Sequence, residues 1–228
     1  MKNLIIANWK CNPLTLNEAL DIFESAKKQI TEKGLKNTEA VICPPFQYIE
    51  FLKSDLNALM LGGQDCYSQE KGAFTGEVSA LMLKNSGCQY VIIGHSERRK
   101  YQKESDELIN EKINAALKAG LKPVLCIDQV SQLEIDLKDV SYKEVAVAYE
   151  PLWAIGTGKA CGIPEALDMN QKIKEVLGKD AIVLYGGSVK SDNARGYIEE
   201  AGYNGLLVGG ASLVPDEFFK ILEGVDLI

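Results

Sequence analysis

At 228 residues, with 46% hydrophobic and 25% charged side chains, the chain can bury a full core as one domain or as two small ones. Its net charge of -7 comes without any basic block, so no concentrated positive field exists to hold nucleic acid or an anionic membrane. An anionic substrate would have to be met by positive potential supplied locally at its site.

Six cysteines (Cys11, Cys43, Cys66, Cys88, Cys126 and Cys161) form no CxxC pair, and Cys43, Cys88 and Cys126 sit in or beside apolar runs as small hydrophobes. That usage predicts a reducing, cytoplasmic setting. Met1 leads straight into the strand-like residues 4–7, with no long apolar segment or cleavage site, so neither secretion nor membrane insertion is expected.

In chain order, one pattern recurs: a short apolar run, small or polar residues, then a helical stretch. The runs are residues 4–7, 40–43, 59–61, 90–93, 124–127, 145–149, 181–184 and 205–208, eight in all. Between the first two, Thr15 and Glu18 have the spacing of a capping box, Leu16, Ala19, Leu20, Phe23 and Ile30 share a helical face, and Gly34 stops the helix. Residues 104–118 repeat the device, with acids first, Leu108, Ile109, Ile113, Ala116 and Leu117 inward, and Gly120 after. Pro164 opens another helix with Ala166, Met169, Ile173 and Leu177 on one face and Gly178 closing it.

Strands that are apolar throughout are buried on both faces, which in a strand-helix alternation means parallel strands with helical crossovers. Eight such units predict a closed (β/α)8 barrel, a single domain over residues 1–228 with no linker. An open doubly wound sheet would want a GxGxxG fingerprint after the first strand, and Ala7-Asn8-Trp9-Lys10-Cys11-Asn12 is not one. The fifth crossover is short: from Cys126 to Glu150 there are only 24 steps (150 minus 126). Residues 128–143 must hold both loops and the helix, close to the minimum of about 10 to 12 residues for any crossover. Only residues 130–137 have helical character. The fifth helix is therefore predicted to have one to two turns, with strands five and six the least covered and Ile135 and Leu137 supplying most of their cover.

Barrel chemistry sits at the carboxyl ends of the strands. After the first run come Asn8 and Lys10, placed on one side of an extended segment. After the fourth comes His95, the only histidine, and with no second imidazole and scattered cysteines metal ligation is not expected. The sixth run delivers Glu150, and Pro151 ends pairing behind it. Residues 151–159 then alternate stiff apolar groups (Trp153, Ile155) with pivots (Gly156, Gly158), the composition of a lid over a base that works away from water. After the seventh run comes Tyr185-Gly186-Gly187-Ser188 and after the eighth Gly209-Gly210-Ala211-Ser212, loops whose backbone donors suit phosphate. Read singly, Lys10 is a surface cation, His95 a structural donor, Glu150 a solvated strand end and each glycine pair a turn. Their occurrence together at strand ends is what points to chemistry.

The ordered motifs Asn8-Trp9-Lys10, Gly72-Ala73-Phe74-Thr75-Gly76-Glu77-Val78, Gly94-His95-Ser96-Glu97-Arg98, Tyr149-Glu150-Pro151-Leu152-Trp153-Ala154-Ile155-Gly156-Thr157-Gly158-Lys159, Tyr185-Gly186-Gly187-Ser188-Val189 and Leu207-Val208-Gly209-Gly210-Ala211-Ser212-Leu213 resemble those of the triosephosphate isomerase family, over nearly the whole chain. The resemblance implies a TIM barrel that interconverts dihydroxyacetone phosphate and D-glyceraldehyde 3-phosphate through an enediolate, without metal or organic cofactor. By the same resemblance Glu150 moves the proton, a neutral His95 and Asn8 donate to the substrate oxygens, and Lys10 stabilises the developing charge. Glu97 would hold Lys10, and Ser96 would be the resting partner of the base. Backbone donors of Gly156, Ser188, Gly209 and Gly210 would bind the phosphate, and Thr75 would reach the partner's Asn8 and Lys10 region in a homodimer. Ala7 for a usual Gly, Asp65 for Asn, and Asp128-Gln129 for Gly-Glu depart from the family pattern.

Two other classes are weighed against this. A Schiff-base aldolase-type lyase needs a desolvated lysine at a strand end, where the sixth strand carries Glu150 and only Lys10 is a candidate. A catalytically silent barrel used for binding would be expected to have lost some of the four reacting groups, and all are present.

Overall fold

All eight apolar runs form strands in the computed structural model, which describes residues 2–52, 59–153 and 160–228. They are β1 (Asn3–Asn8), β2 (Thr38–Cys43), β3 (Met60–Gly63), β4 (Tyr90–Ile93), β5 (Lys122–Ile127), β6 (Ala146–Tyr149), β7 (Val183–Tyr185) and β8 (Gly205–Val208). Each pairs in parallel with the next, and β1 pairs with β8, so the sheet closes in sequence order and has no free edge.

Period-two alternation sorts the strand residues into two packed layers. Leu4, Ile6, Val41, Tyr90, Ile92, Val124, Cys126, Ala148, Leu184 and Leu207 fill the barrel interior. Their neighbours Ile5, Ala7, Ile42, Val91, Ile93, Leu125, Val147, Val183 and Leu206 face outward against the helices. Because both sets are apolar, each strand reads as continuous hydrophobicity, although it follows a strict two-faced pattern.

The outer layer is α1 (Leu16–Lys33), α2 (Phe46–Leu52), α3 (Ala80–Asn85), α4 (Asp106–Lys118), α5 (Leu133–Asp136), α6 (Ile163–Leu177), α7 (Ala194–Glu199) and α8 (Pro215–Asp226). At α1 the capping box between Thr15 and Glu18 is complete, and the N–H of Gly34 reaches back to the Ile30 carbonyl. Ala19, Phe23, Ala26 and Ile30 form its buried stripe. Helix α4 begins two residues later than expected, because Ser105 is the cap and accepts from the Leu108 N–H. Glu104 is thereby freed from the helix, and it lies buried beside Lys112, which is also buried. Among the described residues no helix is long and apolar enough to cross a membrane.

The fifth crossover is as short as the residue count requires. A 3-10 turn at Val130–Gln132 leads into the four residues of α5, and a second turn at Tyr142–Glu144 leads into β6. Its cover differs from expectation, since Ile135 is 40% exposed while Leu133 and Leu137 are buried. Helical geometry explains this: residues 133 and 137, four apart, share a face, and residue 135 points away from it. The shortening does not bare the neighbouring strands. Leu125, Ile127, Val147 and Tyr149 remain buried, with α4 packed on α5 and α6 against the preceding 3-10 turn.

Candidate active site

Inward parity continues past the strand ends and delivers two of the candidates. After Leu4 and Ile6 the next inward position is Asn8, and after Ala146 and Ala148 it is Glu150. The same rule puts Gly186 and Gly209 at the ends of β7 and β8, where no side chain fills the space. A cavity of about 740 Å³ opens there, and Asn8, Lys10, His95, Glu150, Ser188, Gly209 and Gly210 all line it.

His95 does not follow parity. Counting from Tyr90 and Ile92, the inward position is Gly94, and His95 should face outward. Gly94 instead adopts a left-handed φ of 71°, which breaks the alternation and turns the imidazole into the barrel mouth. A Cβ there would stand 3.0 Å from Nη2 of Arg99 and 3.2 Å from Ile109 Cδ1, so glycine is required on both counts.

Once inside, the imidazole is fixed at both nitrogens. The backbone N–H of Glu97 donates to Nδ1 at 3.2 Å, and Nε2 lies 2.9 Å from Oε1 of Glu150. A ring nitrogen that accepts an N–H carries no proton, so in this arrangement the imidazole proton sits on Nε2, toward Glu150. The backbone N–H of Ser96 donates to the other Glu150 oxygen at 2.9 Å. Burial raises the Glu150 pKa, but the positive charge that His95 carries when protonated, together with the His95 and Ser96 hydrogen bonds, outweighs it, and the carboxyl is held below its ordinary range.

Lys10 adopts a left-handed φ of 55°, a conformation that costs a non-glycine residue roughly 1–2 kcal/mol. Three contacts over-determine it. Its N–H donates to Asn8 Oδ1 at 3.0 Å, its carbonyl accepts from Gln64 Nε2 at 2.8 Å, and its ammonium meets Glu97 at 2.5 Å. Gln64 also donates to the Cys43 carbonyl at 2.9 Å, which pins the loop after β1 to the end of β2. Ser96 and Glu97 therefore stand behind the cavity wall, one on the base and one on the cation.

On the glycine loops the carbonyl groups are engaged by side chains: Asn193 Nδ2 donates to the Ser188 carbonyl at 3.0 Å, and Ser212 Oγ donates to that of Gly209 at 2.7 Å. Their negative ends thus face protein donors. Gly156 and residues 154–159 of the expected lid lie outside the described residues. Thr75 is away from the cavity, on the exposed loop that the Tyr67–Ser79 bridge closes at its base.

Several residues to which the sequence assigns no part in the site support it. Cys126, inward on β5, lies against Glu150, and burial, reinforced by the Glu150 charge, pushes its thiol well up. Asp65 joins Arg98, Lys112 and Glu104 in a closed ring: Lys112 Nζ is 2.8 Å from Asp65 and 2.6 Å from Glu104, and Arg98 is 2.9 Å and 2.7 Å from the same carboxylates. Parity could have found Cys126 and Gly186, whereas the ring joins residues too far apart in sequence for any local signal.

A triosephosphate isomerase family model matches residues 3–225. The chain belongs to the triosephosphate isomerase family. It is 42% identical over 253 aligned positions to the triosephosphate isomerase of Dehalococcoides mccartyi, covering 100% of this chain and 98% of the relative. With that of Trichodesmium erythraeum it shares 40% identity, covering 97% and 98% of the two chains. The crystal structure of triosephosphate isomerase from Bartonella henselae superposes with a TM-score of 0.87 at 32% identity, over 98% of this chain and 99% of that one. The match thus extends through barrel and site together.

Proposed function

We propose that the chain interconverts dihydroxyacetone phosphate and D-glyceraldehyde 3-phosphate by moving a proton between adjacent carbons. The observation that carries the reading is the buried pair of the Glu150 carboxylate and the His95 imidazole, 2.9 Å apart and with the imidazole Nε2 turned to the carboxylate, in a cavity lined also by the glycine-rich loops. Glu150 takes the proton from one carbon and returns it to its neighbour once it leaves Ser96. His95 Nε2–H and the Asn8 amide donate to the two oxygens of the enediolate, and the Lys10 ammonium, held by Glu97, stabilises their charge. A neutral donor suits an enediolate better than a cation, because it stabilises the oxygen without quenching it by full proton transfer. Backbone donors of Ser188, Gly209 and Gly210, with Gly156 from the lid, take the phosphate. An acidic protein needs such a local arrangement to bind an anion at all.

The Schiff-base alternative fares poorly, because Lys10 is ion-paired with Glu97 and the buried Lys112 lies between two carboxylates outside the cavity. A cytoplasmic homodimer is part of the same proposal. Leu14, Phe46, Phe74 and Tyr101 are exposed, and a groove of mixed polar and apolar lining beside Lys10, with Leu14, Phe46 and Gly76 in its wall, is where a partner's loop would fit. The deciding experiment supplies D-glyceraldehyde 3-phosphate to the purified chain and follows dihydroxyacetone phosphate by NADH consumption in a coupled reductase assay. Turnover supports the proposal, and no turnover above the uncatalysed rate rejects it.

A further inference from the structure

The Arg99 guanidinium, 13% exposed, joins elements that the reaction needs in register. It lies in the π-helical turn Arg98–Gln102, just after His95. Its Nε donates to the Gly94 carbonyl at 2.8 Å, and Nη2 donates both to the Cys126 carbonyl at 3.0 Å and to Asp136 at 2.6 Å. Gly94 is the residue whose left-handed turn aims His95, and the Cys126 thiol lies against Glu150. One planar cation therefore ties the backbone supports of the imidazole and of the carboxylate.

Asp136 sets the plane of that cation. It is fully buried at the end of the four-residue α5, its Oδ1 has no hydrogen-bond partner, and its Oδ2 accepts from Arg99, with Asp106 also beside it. Burial pushes its carboxyl up to about 7, with Arg99 pulling against this and Asp106 adding to it. A buried carboxylate kept at such cost points to a task. Its backbone is fastened by Asn110, whose Nδ2 donates to the carbonyls of Asp136 and Lys138 at 3.0 and 2.9 Å. The other end of the guanidinium, Nη1, meets Asp106 at 2.5 Å and touches neither strand carbonyl.

Resting on the isomerase reading above, we propose that Asp136 is a positioning residue for the reaction, holding the Arg99 guanidinium against the Gly94 and Cys126 carbonyls and thereby setting the aim of His95 and Glu150. The shortened fifth helix is retained, on this view, as the platform that delivers one carboxylate. Without that charge the guanidinium turns toward Asp106, and both carbonyls lose their shared donor. Small misplacements of reacting groups are enough to slow a proton transfer.

The test uses the full chain with Asp136→Asn, and Asp106→Asn as the control that loses a partner of the same guanidinium at its other end. Two readouts are taken: steady-state kinetics and the imidazole nitrogen signals of His95, which are unambiguous because the chain has one histidine. For Asp136→Asn we expect kcat to fall about tenfold with KM within about twofold, and the His95 signals to move. Asp106→Asn should leave kcat and the His95 signals as in the wild type. If Asp136→Asn does not fold, Arg99→Lys, which cannot bridge both carbonyls, should give the same signature. Unchanged kcat and unmoved His95 signals in Asp136→Asn overturn the proposal, as does an equal loss of kcat in Asp106→Asn. A wild-type chain without isomerase activity removes the functional reading, and the His95 signals alone then decide whether Asp136 positions the imidazole.

Discussion

His95 donates from Nε2 to Oε1 of Glu150 across 2.9 Å, and the second oxygen of Glu150 accepts the Ser96 N–H at the same distance. Both lone-pair faces of the base are thereby committed to the segment that follows β4. The carboxylate is stored in its ionised form within a buried site, and it must exchange these two donors for a substrate C–H to act.

Replacing Glu150 by Gln keeps the size of the side chain but removes the base, and the amide can accept only one of the two donors. In steady-state assays kcat should fall by about 10² to 10⁴, with KM little changed because the phosphate is held elsewhere. Near-normal turnover would end the assignment. In the wild type, the acid limb of kcat/KM should lie below the ordinary carboxyl range, since burial is outweighed by the charge of His95, protonated at that pH, and by the His95 and Ser96 donors.

Gly186 tests the space around the same side chain. A Cβ at this position would stand 3.1 Å from Glu150 Cγ and 3.2 Å from the Tyr149 carbonyl oxygen, and the backbone oxygen cannot move aside. Gly186→Ala should cost about 1–3 kcal/mol of stability by overpacking. It should also lower kcat by about tenfold or more through displacement of the base. A variant with wild-type kcat would mean that Glu150 has more room than these distances allow.

Asp65 should give the protein an unusual pH dependence. Burial raises its pKa from 3.8 to about 6, against the pull of Lys112 and Arg98 and with a further push from Glu104. The folded state therefore binds more protons than the unfolded chain within that window, so this group's contribution to stability grows as pH falls through it. Between pH 7 and pH 4 the stability of the wild type relative to Asp65→Asn should rise by about 2 kcal/mol. Urea unfolding of both proteins across that range would measure it, and parallel stability curves would count against the raised pKa.

Assembly is tested on the loop around Thr75. Sedimentation equilibrium should give twice the 25.0 kDa chain mass, and Thr75→Arg should shift the population toward monomer with reduced kcat. An active wild-type monomer at assay concentration would refute the homodimer.

Much of the barrel was legible from the chain because its determinants are local. The capping box at Thr15 and Glu18 closes within one helical turn, and the fifth helix is short because a fixed number of residues must make a crossover. The cover at α5 is set just as locally, since four-residue spacing puts Leu133 and Leu137, and not Ile135, on the core.

Sequence alone determined the eight strands and, through period-two parity beyond their ends, the inward placement of Asn8 and Glu150. Tertiary structure decided what parity could not. His95 faces the cavity because Gly94 turns left-handed under the Arg99 guanidinium, and Lys112 is buried because Asp65, 47 residues away, and Glu104 come to meet it. Alternation and capping act over a few residues and are written in the order of the chain, whereas the desolvation of a charge is set by whichever distant groups the closed barrel brings beside it.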